Sequence, residues 1–211
     1  MELGLSRIQR EFFMNLPNKL TVARLIMVPV FVILMSIDHL ATYIIAYIIF
    51  TAASITDYFD GKIARERNLV TNFGKLMDPL ADKVLMAAAF VMVMEVPLLN
   101  VPGWSIVAIL AREFLVTGAR SLGSAEGTVI AANKWGKLKT VLQMVYVFVF
   151  LFFTIISKAC YTWLPEHAEQ IANIISIASL YGIIAVSLFT VYTGIQFAQT
   201  NWVILNLSSQ E

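Results

Sequence analysis

Asp57-Tyr-Phe-Asp60-Gly61-Lys-Ile-Ala64-Arg65, followed after a short interval by Gly74-Lys-Leu-Met-Asp78-Pro-Leu-Ala-Asp82, decides how this chain is read. Asp57, Asp60, Gly61 and Ala64 stand at i, i+3, i+4 and i+7, the spacing that places four residues on one helix face. Gly74, Asp78 and Asp82 stand at i, i+4 and i+8 and can do the same on a second helix. Two such helices facing each other would gather four carboxylates. That much negative charge in one place calls for cations or bound protons. A site for two hard, oxygen-liganded divalent ions, Mg2+ or Mn2+, is the expected answer.

The residues around this stretch are those of a membrane protein. Of 211 residues 59% are hydrophobic and 14% charged, against roughly 45–50% and 25% in soluble domains. Carboxylates at the edge of hydrocarbon are expensive and persist mainly where function requires them. The net charge of +1 indicates no polyanionic partner, and no nucleic acid is expected. The single cysteine, Cys160, excludes an internal disulfide and a cysteine-based metal site. No phosphate-cradling glycine loop or nucleophile elbow is present.

Six apolar segments can be marked, each near the roughly 20 residues a spanning helix needs: Leu20 to Ile37, Ala41 to Arg65, Pro79 to Val96, Trp104 to Leu122, Leu138 to Ile156 and Ile171 to Ile195. The expected fold is an all-α integral membrane protein of six transmembrane helices. A short amphipathic surface helix would precede them within residues 1–19, the six-helix domain would fill 20–200, and 201–211 would form a tail. Lysines and arginines crowd alternate connections: Arg7, Arg10, Lys19 and Arg24 at the start, Lys62, Arg65, Arg67, Lys75 and Lys83 around the second, Arg120, Lys134, Lys137 and Lys139 around the fourth. Only Lys158 lies on the other side, so both termini and the aspartates should face the cytoplasm. His39 and His167 fall on the side away from the aspartates and read as interfacial residues. Pro79 leaves two geometries open. It is the first helical residue if Asp78 caps the third helix, and it should kink the helix if that begins near Phe73.

Asp-x2-Asp-Gly-x2-Ala-Arg-x8-Gly-x3-Asp-x3-Asp resembles the signature of the CDP-alcohol phosphatidyltransferase family. The resemblance extends from about Asn15 through the rest of the chain. It implies transfer of a phosphatidyl group from a CDP-linked lipid, CDP-diacylglycerol, to an alcohol with release of CMP at the membrane surface. It also implies a homodimer. On this reading Asp57, Asp60 and Asp78 are metal ligands, and Asp82 is the general base and touches a metal as well. Gly61, Ala64, Arg65 and Gly74 accommodate the CDP-lipid.

Three further stretches resemble the branch of that family that makes phosphatidylglycerophosphate, and so imply sn-glycerol 3-phosphate as acceptor. They are Asn15-Leu-Pro-Asn18-Lys-Leu-Thr21-Val-Ala-Arg24, Ala111-Arg112-Glu113-Phe-Leu-Val-Thr117-Gly-Ala-Arg120 and Trp135-Gly136-Lys137-Leu-Lys139-Thr140-Val-Leu-Gln143. An acceptor carrying a phosphate needs a cationic pocket, with arginine forks and lysine point charges as its natural ligands. Arg112, Arg120, Lys137 and Lys139 are the candidates, with Asn18, Thr21, Arg24, Glu113 and Thr117 in support. Thr193, Gly194 and Gln196 read as no more than the end of the last span. The nearest rival is the same chemistry on inositol phosphate, serine or another alcohol. A small transporter is remoter, because the acidic residues concentrate at one interface instead of spreading along the midplane.

Overall fold

A computed structural model describes residues 16–66, 72–125 and 134–201, apart from the side chains at 16–17, 57–66, 72–76, 78–79 and 125. Of the expected juxtamembrane segment at 1–19 and tail at 201–211, residues 1–15 and 202–211 lie outside the described residues. Among the described residues are six α-helices: α1 (Leu16–Met35), α2 (Leu40–Glu66), α3 (Asn72–Glu95), α4 (Gly103–Ala125), α5 (Lys134–Trp163) and α6 (Pro165–Thr200). A 3-10 turn, Pro97–Leu99, separates α3 from α4.

Among the described residues, three helices are long and apolar enough to cross a membrane. These are α1 from Asn18, with mean hydropathy 1.7, and α5 and α6, each at 2.2. α4 has 23 residues, enough to cross, but carries Arg112, Glu113 and Arg120 within it. Leu40–Thr56 of α2 is a further, shorter apolar stretch among the described residues.

The chain forms two compact units, residues 1–92 and 93–211. In the first, α1 and α2 make an antiparallel hairpin. Phe31 packs on Phe50 with ring centroids 5.7 Å apart, and near the turn the Tyr43 hydroxyl donates to Asp38 across 3.2 Å. α1 runs through Pro29, which frees the carbonyl one turn back, an arrangement membrane helices tolerate when neighbours satisfy the freed group. α3 begins at Asn72, so Pro79 lies inside the helix and the first-position alternative does not hold. Residue 79 therefore cannot donate to the carbonyl of residue 75.

In the second unit, α5 and α6 form another antiparallel hairpin, joined by Leu164 alone, with Pro165 opening α6 where a missing N–H costs nothing. Buried residues recur every three or four positions on both helices. On α5 they run Lys139, Gln143, Tyr146, Phe150, Thr154 and Ser157. On α6 most are small, Ala168, Ala172, Ser179, Ser187, Thr190 and Thr193, with Ile175, Ile183 and Phe197 among them. Small and hydroxylated faces let helices approach closely in lipid, where apolar bulk gives no preference for protein over acyl chain. The 3-10 turn packs against this hairpin and ends at Asn100, whose φ of 48° is left-handed, a conformation asparagine tolerates better than most residues. Ser105 then donates to the Pro102 carbonyl across 2.6 Å and secures the first turn of α4.

Candidate functional site

The acidic motif occupies two helices. α2 is unbroken from Leu40 to Glu66, so Asp57, Asp60, Gly61, Ala64 and Arg65 all stand on helical backbone, as their spacing requires. Gly74, Asp78 and Asp82 stand on α3. The side chains of Asp57, Asp60, Arg65 and Asp78, and the surroundings of Gly61, Ala64 and Gly74, lie outside the described residues. The Asp82 side chain is described and half-buried. At the start of α1, Asn18, Thr21 and Arg24 are buried, the last two completely. Their spacing of three gives α1 a polar stripe at one end of an otherwise apolar helix.

The second unit holds the best-defined polar site. Arg112 and Glu113 are neighbours on α4, and one Arg112 terminal nitrogen lies 3.4 Å from a Glu113 carboxylate oxygen. Lys139 of α5 makes an ion pair with that same oxygen. Arg112 is 8% exposed and Lys139 4%, so two cations are held almost out of contact with solvent beside a partly buried carboxylate. Buried charges must be paired and hydrogen-bonded to be tolerated. Arg112 Nε is buried without a hydrogen-bond partner. The site thus holds a cationic donor with room for an incoming acceptor atom.

Around this cluster the helices lock together. Gln143, one turn beyond Lys139, donates to the Thr190 hydroxyl of α6 across 3.1 Å. Arg112 lies against Gly194 of α6 so closely that a Cβ built there would stand 2.8 Å from Arg112 Cγ. The Arg120 guanidinium sits 5.5 Å from the centre of the Phe197 ring, within reach of a cation–π attraction. Arg120 Nε too is buried without a hydrogen-bond partner. An apolar groove of about 820 Å³ runs beside Arg112 between α4 and α6, lined by Ala111, Leu115, Gly118, Ile195 and Ala198 among others.

The structure therefore brings Arg112, Glu113 and Lys139 together and sets Arg120 two turns along the same helix. Lys137 stands apart. It is exposed, and residues two apart on a helix do not share a face. Thr117 is half-buried on α4. Sequence reasoning passed over Thr190, Gly194 and Phe197, and it dismissed Gly194 as the end of a span. α6 in fact continues to Thr200, and Gly194 is packed against an arginine. The available signal was Ser187, Thr190 and Thr193, a run of hydroxyls at steps of three that an ordinary lipid-facing helix has no use for.

Comparison with known proteins agrees with this picture. A family model described as CDP-alcohol phosphatidyltransferase matches residues 14–177. The chain is 43% identical to the CDP-diacylglycerol–glycerol-3-phosphate 3-phosphatidyltransferase of Bacillus subtilis, over 63% of this chain and 74% of the relative. It is 44% identical to the protein of the same name from Rickettsia typhi, over 62% and 72%. It is 41% identical to a probable phosphatidylglycerophosphate synthase of Mycobacterium tuberculosis, over 65% and 66%. With the acidic motif, the buried cations and this similarity in hand, the chain belongs to the CDP-alcohol phosphatidyltransferase family.

Proposed function

We propose that this protein transfers a phosphatidyl group from CDP-diacylglycerol to sn-glycerol 3-phosphate, giving phosphatidylglycerophosphate and CMP in phospholipid synthesis. The observation that carries the acceptor is the pair of arginines on one helix, Arg112 and Arg120, whose Nε atoms are both buried without a hydrogen-bond partner, with Lys139 beside the first. An acceptor phosphate supplies oxygens for these donors. The names of the relatives point the same way.

The acceptor's free hydroxyl attacks the lipid-bearing phosphorus of the donor. Its oxygen forms the new P–O bond, the bond to the bridging oxygen breaks, and CMP departs with that electron pair. Asp82 takes the hydroxyl proton as general base. Arginine and lysine at the acceptor's other end do no chemistry. They hold a non-reacting phosphate so that the hydroxyl is aimed, and such positioning can lower a barrier by several kcal/mol, up to roughly 7–11 in the best intramolecular cases. The motif's carboxylates offer oxygen donors only, the set that Mg2+ or Mn2+ prefers. Asp57, Asp60 and Asp78 would hold two such ions with Asp82 at their edge, and the ions would neutralise the donor's diphosphate. With the aspartates so engaged, direct attack without a covalent enzyme intermediate is the simpler course, and it predicts inversion at phosphorus.

The same reading makes all six helices membrane-spanning. α2, α3 and α4 would be kept in the bilayer by placing their charges at a cytoplasmic cavity. Both termini would be cytoplasmic by the distribution of lysine and arginine, and two chains would associate as a homodimer. The groove between α4 and α6 suits an acyl chain lying alongside the cation cluster.

The deciding experiment is CMP release by purified protein with CDP-diacylglycerol, adding glycerol 3-phosphate, inositol phosphate or serine singly, with and without a chelator. Release that requires glycerol 3-phosphate and Mg2+ and stops with chelator is expected. Release with only one of the other alcohols overturns the acceptor assignment. Release indifferent to chelator overturns the metal. Asp78→Asn should lower kcat by on the order of 10²–10³ while the protein stays folded.

A further inference from the structure

We infer that α6 positions the acceptor-binding arginines, with Gly194 setting Arg112 and Phe197 setting Arg120. The inference rests on the reading just given, that these arginines hold the acceptor's phosphate.

Thr190, Gly194 and Phe197 stand at i, i+4 and i+7 and so share one face of α6. Each meets a different side chain of the polar site. Thr190 accepts from Gln143, Gly194 carries Arg112 across its bare backbone, and the Phe197 ring lies beside Arg120. A closed circuit results. It runs from α6 through Thr190 to Gln143 on α5, one turn along α5 to Lys139, across to Glu113 on α4, to its neighbour Arg112, and back to α6 at Gly194. A helix that merely filled space would not place its one side-chain-free residue in this stretch under the buried arginine.

The contact at Gly194 is with Arg112 Cγ, the second carbon of the side chain, which lies 2.8 Å from where an added methyl carbon would stand. A clash there cannot be relieved by the flexible end of the arginine. It forces a different χ1 rotamer and so redirects the whole guanidinium. Arg112 Nε, buried and without a hydrogen-bond partner, is then a donor held in one orientation for an arriving anion.

The test is steady-state kinetics on Gly194→Ala, Phe197→Leu, Arg112→Ala and the double variant Arg112→Ala/Gly194→Ala, with the KM of each substrate measured separately. Gly194→Ala adds one carbon and no charge and raises helix propensity. It should raise the glycerol 3-phosphate KM about tenfold, the worth of one well-placed charged hydrogen bond. Both kcat and the CDP-diacylglycerol KM should stay within about twofold, whereas a general packing defect would move all three. In the Arg112→Ala background the same substitution should add nothing, since the group it displaces is gone. Phe197→Leu, which adds no bulk, should raise the acceptor KM about threefold, in line with a modest cation–π loss. It carries the test alone should Gly194→Ala not fold.

Three outcomes overturn the inference. Gly194→Ala could leave the acceptor KM unmoved while Arg112→Ala raises it, Gly194→Ala could act equally in both backgrounds, or Phe197→Leu could have no effect. In each of these the proposed reaction stands. An Arg112→Ala enzyme with an unchanged acceptor KM removes the acceptor assignment on which the inference rests.

Discussion

The two ends of the α5–α6 hairpin hold together by different physics. Around Tyr146, nearer the Leu164 connection, the groups that meet are neutral. The Tyr146 hydroxyl pairs with the Ser179 hydroxyl at 2.8 Å, its ring packs on Phe150 at 4.6 Å, and Gly182 admits both rings. Toward the open end, Lys139 is buried in an ion pair with Glu113 of α4, and Gln143 bridges to Thr190. The neutral end is cheap to build and satisfies itself. The ionic end buries Arg112 and Lys139 against Glu113, an arrangement that a protein selected only for stability would replace with apolar side chains. The difference separates scaffold from site within one pair of helices.

That separation can be broken experimentally, most forcefully at Glu113. Glu113→Gln removes the carboxylate that Arg112 and Lys139 share and leaves like charges buried together. A stability loss of about 3–5 kcal/mol is expected by thermal unfolding in detergent. An unchanged melting temperature would mean the cluster is not held by this pairing. Lys139→Gln should be gentler on the fold, because Glu113 keeps Arg112. It should raise the glycerol 3-phosphate KM on the order of tenfold with the lipid KM unaltered. Equal effects on both substrates would dissolve the distinction between the two ends. Smallest is Tyr146→Phe at the neutral end, with about 1 kcal/mol of stability lost with the hydroxyl pair and no change in either KM. A kinetic effect there would show that the scaffold half also serves the reaction.

Legibility in the sequence followed the range of the interaction. The reach of α2 through Arg65 could be read from Asp57, Asp60, Gly61 and Ala64 because helical spacing is local, and the helix does run to Glu66. Whether Pro79 opened α3 or interrupted it could not be read, because Asp78-Pro79 is itself a helix-start signal that competes with an earlier start; α3 in fact spans Asn72–Glu95. Lys137 and Lys139 looked alike as members of one basic stretch, yet burial divides them, since a two-residue step turns a helical side chain nearly to the far side. Gly194 was the hardest. Its meaning comes from Arg112, 82 positions earlier, and no local pattern encodes a contact at that separation. The acceptor branch was recognisable because Arg112, Arg120 and Lys139 sit in recognisable stretches, but the α6 residues that the two arginines pack on, Gly194 and Phe197, lie outside those stretches.

The one-residue link at Leu164 makes the hairpin a lever. With no slack in the connection, α5 and α6 cannot slide past each other and can only splay about that point. Lys139 lies 25 residues from the pivot along α5, about 37 Å at 1.5 Å per residue. A splay of about one degree therefore displaces the cation cluster by about 0.65 Å, on the scale at which misaimed substrates lose about two orders of magnitude in rate. The Gln143–Thr190 bond, far from the pivot, acts on that angle with a long arm, so one neutral hydrogen bond there can govern the aim of the charges beside it.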